Sequence, residues 1–327
     1  MSTQAVRNVL SAIVLVVLVG CAGAAPAGSV SLPPTTAPGS IATASAGASG
    51  SAGSTEPGTD VEIGDGRRLH LVCQGQAPVG VPTVIIETGL GGVSTEWREA
   101  QAEMSASTRV CAYDRAGLGQ SASTGAATRT SADLVADLHA LLAAATIEPP
   151  YVLVGHSTGA WQVSLFAATY PNEVAGAIYV DPRNPATSSA WLSALGPSTA
   201  GEPEAVTSFR EDLRAFEGDP SQNPEHVDLV ASAAQALAVE KPAAMLFGAK
   251  PVVVLGADGD ADDFADLPAD IGATLLRVFT DGYQAYVHES SRGSFSMVAD
   301  SSHAIFQDQP AAVLAALKRV LAAIPGS

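Results

Sequence analysis

Basic side chains are scarce in this sequence. Lys and Arg number 16 against 33 Asp and Glu, a formal charge of −17 over 327 residues. Phosphate recognition needs clustered Lys and Arg, and no cluster appears, so nucleic acid is not an expected partner. Charged residues of both signs make up only 15% of the chain, so the acidity is a dilute surface property. Long apolar runs are absent as well: the longest, Val9 to Val19, has eleven residues, too few to span a bilayer comfortably. No internal repeat is visible. Cysteine is limited to Cys21, Cys73 and Cys111. An apolar content of 47% is nevertheless ample for a sizeable core.

The short apolar run follows a single positive charge at Arg7, and its length suits the core of a signal peptide. Its ending, Leu18-Val19-Gly20-Cys21, resembles a bacterial lipoprotein signal, in which the cysteine is lipidated and becomes the first residue of the mature chain. An ordinary secretory signal or an uncleaved anchor are the alternatives. From Ala22 to about Thr59 the composition is Ala, Gly, Ser, Thr and Pro, with almost no large apolar side chain, and nothing there offsets the entropy of ordering. The expected organisation is a signal peptide over residues 1–20, a lipidated, disordered tether over 21–59, and a folded domain over 60–327. A Gly/Ser-rich tether of this length reaches roughly 30 to 40 Å. The expected location is the outer face of the bacterial cell membrane or envelope, with the membrane as partner through a lipid on Cys21. Cys73 and Cys111 then remain as an even pair in an oxidising compartment, or as two small buried hydrophobes.

Along the body, strands are expected at Asp60 to Gly64 and Arg68 to Gln74, around the turn signal Gly64-Asp65-Gly66. Further strands are read at Thr83 to Glu87, Arg109 to Tyr113, Tyr151 to Val154, Ala175 to Val180, Pro251 to Leu255 and Phe295 to Val298. Helices are expected around Trp97, after a cap at Thr130 or Ser131, after Gly159, and from Pro310 to Ala323. Such alternation predicts a mostly parallel sheet covered by helices on both faces. The alternation lapses over about 184–248, where apolar spacing around Leu213 and Phe216 and from Leu229 to Leu237 indicates an inserted helical cap. A cap of this kind is expected to lie over the carboxyl ends of the strands and to set substrate choice.

The chemistry centres on Gly155-His156-Ser157-Thr158-Gly159, between an apolar strand and a run with helical spacing. In such a turn the serine adopts a strained backbone, and small residues on either side let strand and helix approach. A serine nucleophile needs a base, an acid that orients the base, and two N–H groups aimed at the developing oxyanion. Among six histidines, His303 follows the last expected strand and precedes the terminal helix, which puts it at the same edge of the sheet as Ser157. His156 is expected to point into the protein and to take no chemical step.

The segments TVIIETGLGG, RVCAYDRAGLGQS, YVLVGHSTGA and ADSSHAIFQDQP resemble the α/β-hydrolase family of serine hydrolases, over essentially all of residues 60–327. The resemblance implies an α/β-hydrolase fold with a mostly parallel central sheet of about eight strands and a helical cap. It implies hydrolysis of a small-molecule ester, less readily an amide, with no cofactor and no metal. An acyltransferase with the same triad, or a ligand-binding lipoprotein on the same fold, are the other readings. The family's order of nucleophile, acid and histidine fits Ser157 and His303 with the acid between them. Asp181 follows the Ala175 to Val180 strand directly and is preferred, because an acid at a strand end is better fixed than one in a loop. Asp260 is the rival, with Asp258, Asp262 and Asp263 beside it. The implied oxyanion donors are the N–H groups of Leu90 and Thr158. In the family's usual sheet the second and fourth strands are neighbours, which implies a Cys73–Cys111 disulfide. Trp161, Trp191, Phe209 and Phe216 are candidates for an acyl pocket or for the core of the cap, and Arg183 for a contact with a substrate anion.

Overall fold

The computed structural model describes residues 58–125, 127–240 and 245–325. The expected signal peptide, Cys21 and the expected tether up to Pro57 lie outside the described residues. The tether's last expected residue, Thr59, is already the first of a strand.

Eight strands form one sheet: β1 Thr59–Glu62, β2 Arg68–Gln74, β3 Thr83–Glu87, β4 Val110–Tyr113, β5 Tyr151–His156, β6 Val174–Val180, β7 Val252–Ala257 and β8 Gly293–Val298. Their order is β1-β2-β4-β3-β5-β6-β7-β8. The β1/β2 and β2/β4 pairs are antiparallel and all the others parallel. Successive side chains on a strand point to opposite faces, so each buried strand feeds two cores. Val84, Ile86, Val152, Val154, Ile178 and Val180 pack on one face with Trp97 and Met104, and with Val313 and Leu317 of the helix Pro310–Ala323. Ile85, Leu153, Ala177 and Tyr179 pack on the other, against the helices Ser131–Ala144, Gly159–Thr169 and Ala269–Val287. Burial on both faces is why these strands read as continuous apolar runs rather than alternating ones. Thr130 starts the helix Ser131–Ala144: its backbone N–H donates to Asp133 Oδ2 at 2.8 Å.

Between β6 and β7 lie the helices Thr187–Leu195, Glu204–Gly218 and Leu229–Glu240, where the cap is expected. Phe216, Val227, Leu229 and Ala236 from this region pack with Leu134, Trp161 and Leu90. Trp191 and Phe209 join Phe264 and Phe279 in the main core. All four aromatic candidates for an acyl pocket are therefore packing residues. Cys73 and Cys111 are paired across β2 and β4 and joined by a disulfide. No helix among the described residues is long and apolar enough to cross a membrane.

Candidate active site

Ser157 sits where β5 ends and the helix Gly159–Thr169 begins, with φ = 53° in the left-handed region. The strain is accommodated because the positions two residues away on either side, 155 and 159, are glycine. A Cβ on Gly159 would lie 2.5 Å from the carbonyl oxygens of Glu87 and Thr88, and one on Gly155 would meet the Ala160 backbone at 3.0 Å. Gly89 faces the turn from β3: a Cβ there would stand 2.9 Å from His156 Nδ1 and 3.1 Å from Ser157 Cβ. The backbone around Ser157 is locked further by the Arg183 N–H, which donates to the Ser157 carbonyl at 3.1 Å.

Asp181 directly follows β6, also at positive φ (43°), and is completely buried. Its Oδ2 lies 2.5 Å from His303 Nδ1. Its Oδ1 accepts from the Ala257 N–H at 3.1 Å and from the Tyr283 hydroxyl. Burial works to lower the His303 pKa, but the hydrogen bond and charge of Asp181 outweigh it and leave the imidazole raised. The other ring nitrogen, Nε2, is buried and without a hydrogen-bond partner. The rival acids take other positions. Asp260 Oδ2 accepts from the same Tyr283 hydroxyl at 2.8 Å, and burial first, then the Asp181 charge, push its pKa up to about 8. Asp258 accepts from the N–H groups of Asp300 and Ser301, both at 3.1 Å, and so pins the loop that carries His303. Asp181, Asp260 and His303 offer ligand atoms within 4.8 Å of one another, the spacing a metal ion needs. The Asp181–His303 bond and the Tyr283 hydroxyl already engage these side chains.

Leu90 lies in the loop after β3, which Arg115 holds from beneath. This buried guanidinium donates to Glu87 Oε1 at 2.6 Å, to the Thr88 carbonyl at 2.7 Å and to the Gly89 carbonyl. It also pairs with Glu225, at 2.6 Å to Oε2 and 2.8 Å to Oε1. Glu225 comes from the cap region, and its Oε1 accepts from the Gly91 N–H at 2.7 Å. Among the described residues, the N–H groups of Leu90 and Thr158 are not engaged by any internal acceptor. They remain available to an oxyanion.

Ser157 and His303 line one cavity of about 150 Å3 with Gly89, Leu90, Gly92, Glu96, His156, Gly259, Asp260, Asp263, Ser302, Ala304 and Phe306. None of these described lining residues comes from 184–248, so the walls are loops of the sheet's carboxyl edge, not the cap as the sequence leads one to expect. Arg183 is not at the cavity: it is buried, pairs with Glu217 at 3.1 Å and stacks 5.3 Å over Trp191, which removes it as an anion contact. His156 is buried, as expected, and its ring also borders the cavity. Its Nε2 hydrogen-bonds the His303 carbonyl at 3.0 Å, and its ring packs 4.9 Å from Phe306. Burial first, then His303, hold its pKa well below 6.5, so it is a neutral ring that donates to a carbonyl. The signal for this was present: His156 ends β5 in step with Val152 and Val154, and so faces the same side as Phe306.

The fold and this constellation define the chain's class: it belongs to the alpha/beta hydrolase family, whose model matches residues 84–317. It is 36% identical over 100 residues to the uncharacterized protein YqjL of Bacillus subtilis (strain 168), a match over 31% of this chain and 39% of that protein. It is likewise 36% identical over 100 residues to the putative carbamate hydrolase RutD of Escherichia coli O103:H2, covering 31% of this chain and 37% of RutD. These matches thus span less than half the length of either relative. Among solved structures, a thermophilic esterase from Thermogutta terrifontis superposes with a TM-score of 0.52 at 20% identity, over 81% of this chain and 98% of that one. That likeness is one of fold.

Proposed function

We propose that the protein is a serine hydrolase that cleaves an ester, less readily an amide, through an acyl-enzyme on Ser157. The observation that carries the reading is a single cavity holding Ser157 and an unpartnered His303 Nε2, with Asp181 bonded to the opposite ring nitrogen. Neutral His303 takes the proton of the Ser157 hydroxyl at Nε2 as Oγ attacks the substrate carbonyl. Asp181 fixes the tautomer with the proton on Nδ1 and stabilises the imidazolium that forms. The oxyanion accepts from the N–H groups of Leu90 and Thr158. Collapse breaks the bond to the alcohol, which leaves with the proton from Nε2. Water then gives a proton to Nε2 and adds to the acyl carbon, and the returning proton frees Ser157 with release of the acid.

The Thermogutta terrifontis protein is an esterase and RutD a putative carbamate hydrolase, and both activities accord with acyl transfer to water. The test is labelling by a fluorophosphonate, which reacts with an activated serine. Wild type labels and turns over a simple ester; Ser157→Ala does neither. A wild-type protein that stays unlabelled, with its disulfide formed, refutes the reading.

The reading extends to location: an exported enzyme anchored through lipid on Cys21 and held off the membrane by the segment to about Thr59. The Leu18 to Cys21 pattern supports it, and so does a Cys73–Cys111 disulfide, a bond that persists in oxidising compartments. Expressed in a bacterium, the protein is expected to incorporate labelled palmitate, and Cys21→Ser to end that incorporation.

A further inference from the structure

The cavity beside Ser157 is lined by three carboxyl side chains, Glu96, Asp260 and Asp263, and by no Lys or Arg. Asp260 is only 3% exposed, and its Oδ1 has no hydrogen-bond partner although Oδ2 is engaged by Tyr283. A buried carboxyl oxygen without a donor is costly, and such groups in native structures usually meet water, an ion or a ligand. The cations close enough to matter are committed elsewhere. Arg115 is tied to Glu87, Glu225 and two carbonyls, and His303 to Asp181. Burial first raises all three carboxyls, Glu96 to about 7, Asp260 to about 8 and Asp263 to about 6.

We propose that this cavity binds a protonated amine, so that the enzyme's preferred substrates are small esters carrying an ammonium group. The assignment rests on the serine hydrolase reading for the identity of the ester, but not for the binding of the amine. An ammonium has three donors and no acceptor, which matches the carboxyl oxygens of Glu96, Asp260 and Asp263 in the wall. A divalent metal fits less well: drawn to Asp181, Asp260 and His303, it would have to break the Asp181–His303 hydrogen bond, whereas an ammonium leaves it intact. The volume of about 150 Å3 admits a group about the size of a benzene ring. The substrate's charged arm is therefore short. Leu90, Ala304 and Phe306, which also line the cavity, supply an apolar surface for its carbon atoms.

The test uses an isosteric pair, β-alanine methyl ester and methyl butanoate, which differ by an ammonium in place of a methyl group. Calorimetry on full-length Ser157→Ala protein near neutral pH measures binding with no turnover. The charged ester is expected to bind about tenfold more tightly than the neutral one. Adding Asp263→Asn or Glu96→Gln to Ser157→Ala is expected to bring the two affinities together. Equal affinities in Ser157→Ala, or preference for the neutral ester, overturn the proposal. So does a folded Asp260→Asn, Asp263→Asn, Glu96→Gln triple replacement in Ser157→Ala that keeps the full preference. If these replacements prevent folding, the ester pair on Ser157→Ala decides alone. Failure of the wild type to label with fluorophosphonate is a separate result, which removes the hydrolase reading and leaves the amine site to be judged by calorimetry.

Discussion

At the residue scale, His303 is governed by two opposed influences: burial, which disfavours its charge, and Asp181, which favours it and prevails. A base must be neutral to accept the serine proton, so a raised pKa moves the acidic limb of kcat/KM to a higher pH. That limb is expected above about 6.5, the ordinary histidine value. Asp181→Asn should move it down and cut kcat by about 10³- to 10⁴-fold, since the amide neither enforces the tautomer nor stabilises the imidazolium. Asp260→Asn should cost far less on a neutral ester, about tenfold, because an amide still meets the Tyr283 hydroxyl. Steady-state rates across pH distinguish the two acids. Ser157 and His303 are legible in the sequence because each stands at a strand end, where the direction of the chain fixes the edge of the sheet. Asp181 is legible for the same reason. Glu96 is not: it belongs to the cavity only because the loop after β3 folds back over Ser157, and nothing local in that segment marks the closure.

At the scale of elements, the loop after β3 is held by Arg115 and Glu225, 110 residues apart in the chain. Glu225→Ala leaves the guanidinium short of a partner and the Gly91 N–H without its acceptor. Removing one member of a buried ion pair costs on the order of 3 to 5 kcal/mol, to be read from denaturant unfolding. The same change should lower kcat more than it raises KM, because the loop carries the Leu90 N–H, the proposed oxyanion donor, which would act in the transition state. The disulfide between β2 and β4 closes a loop with a sequence separation of 38. Replacing both cysteines with serine should cost about 2 to 4 kcal/mol, and reduction of the protein should raise its intact mass by two hydrogens. The strands are readable because the middle of a doubly covered strand is apolar on both faces, as Val84 to Ile86 and Val252–Ala257 are. The clasp is not, because a pair so distant in sequence leaves no periodic trace. The cap was recognisable from helical spacing, but spacing says which face is apolar and not what that face covers. Its apolar side packs on Leu90 and Trp161 instead of lining the cavity.

Across the whole molecule, several carboxyls keep their protons to higher pH than free ones: Glu240 to about 7 and Glu289 to about 8, besides Glu96, Asp260 and Asp263, all mainly through burial. The folded state therefore holds protons that the unfolded chain gives up above about 4.5, so these groups' contribution to stability is lost as pH rises through the folded values, between about 6 and 8. The raised His303 acts in the same direction, while His156, depressed by burial, opposes it below about 6.5. The melting temperature is expected to fall by several degrees from about pH 6 to 8 at constant ionic strength, and a flat or rising profile contradicts this account.

The arrangement at the sheet's edge also bears on mechanics. Tension applied at Gly58 enters through β1, which is held to β2 by only four residue pairs, and β1 can peel away under load. Behind it the Cys73–Cys111 bond joins β2 to β4, so load that reaches Cys73 passes directly to Cys111. The segment between the two cysteines, which holds β3 and the loop of Leu90, is thereby spared extension by a pull on the chain's leading end.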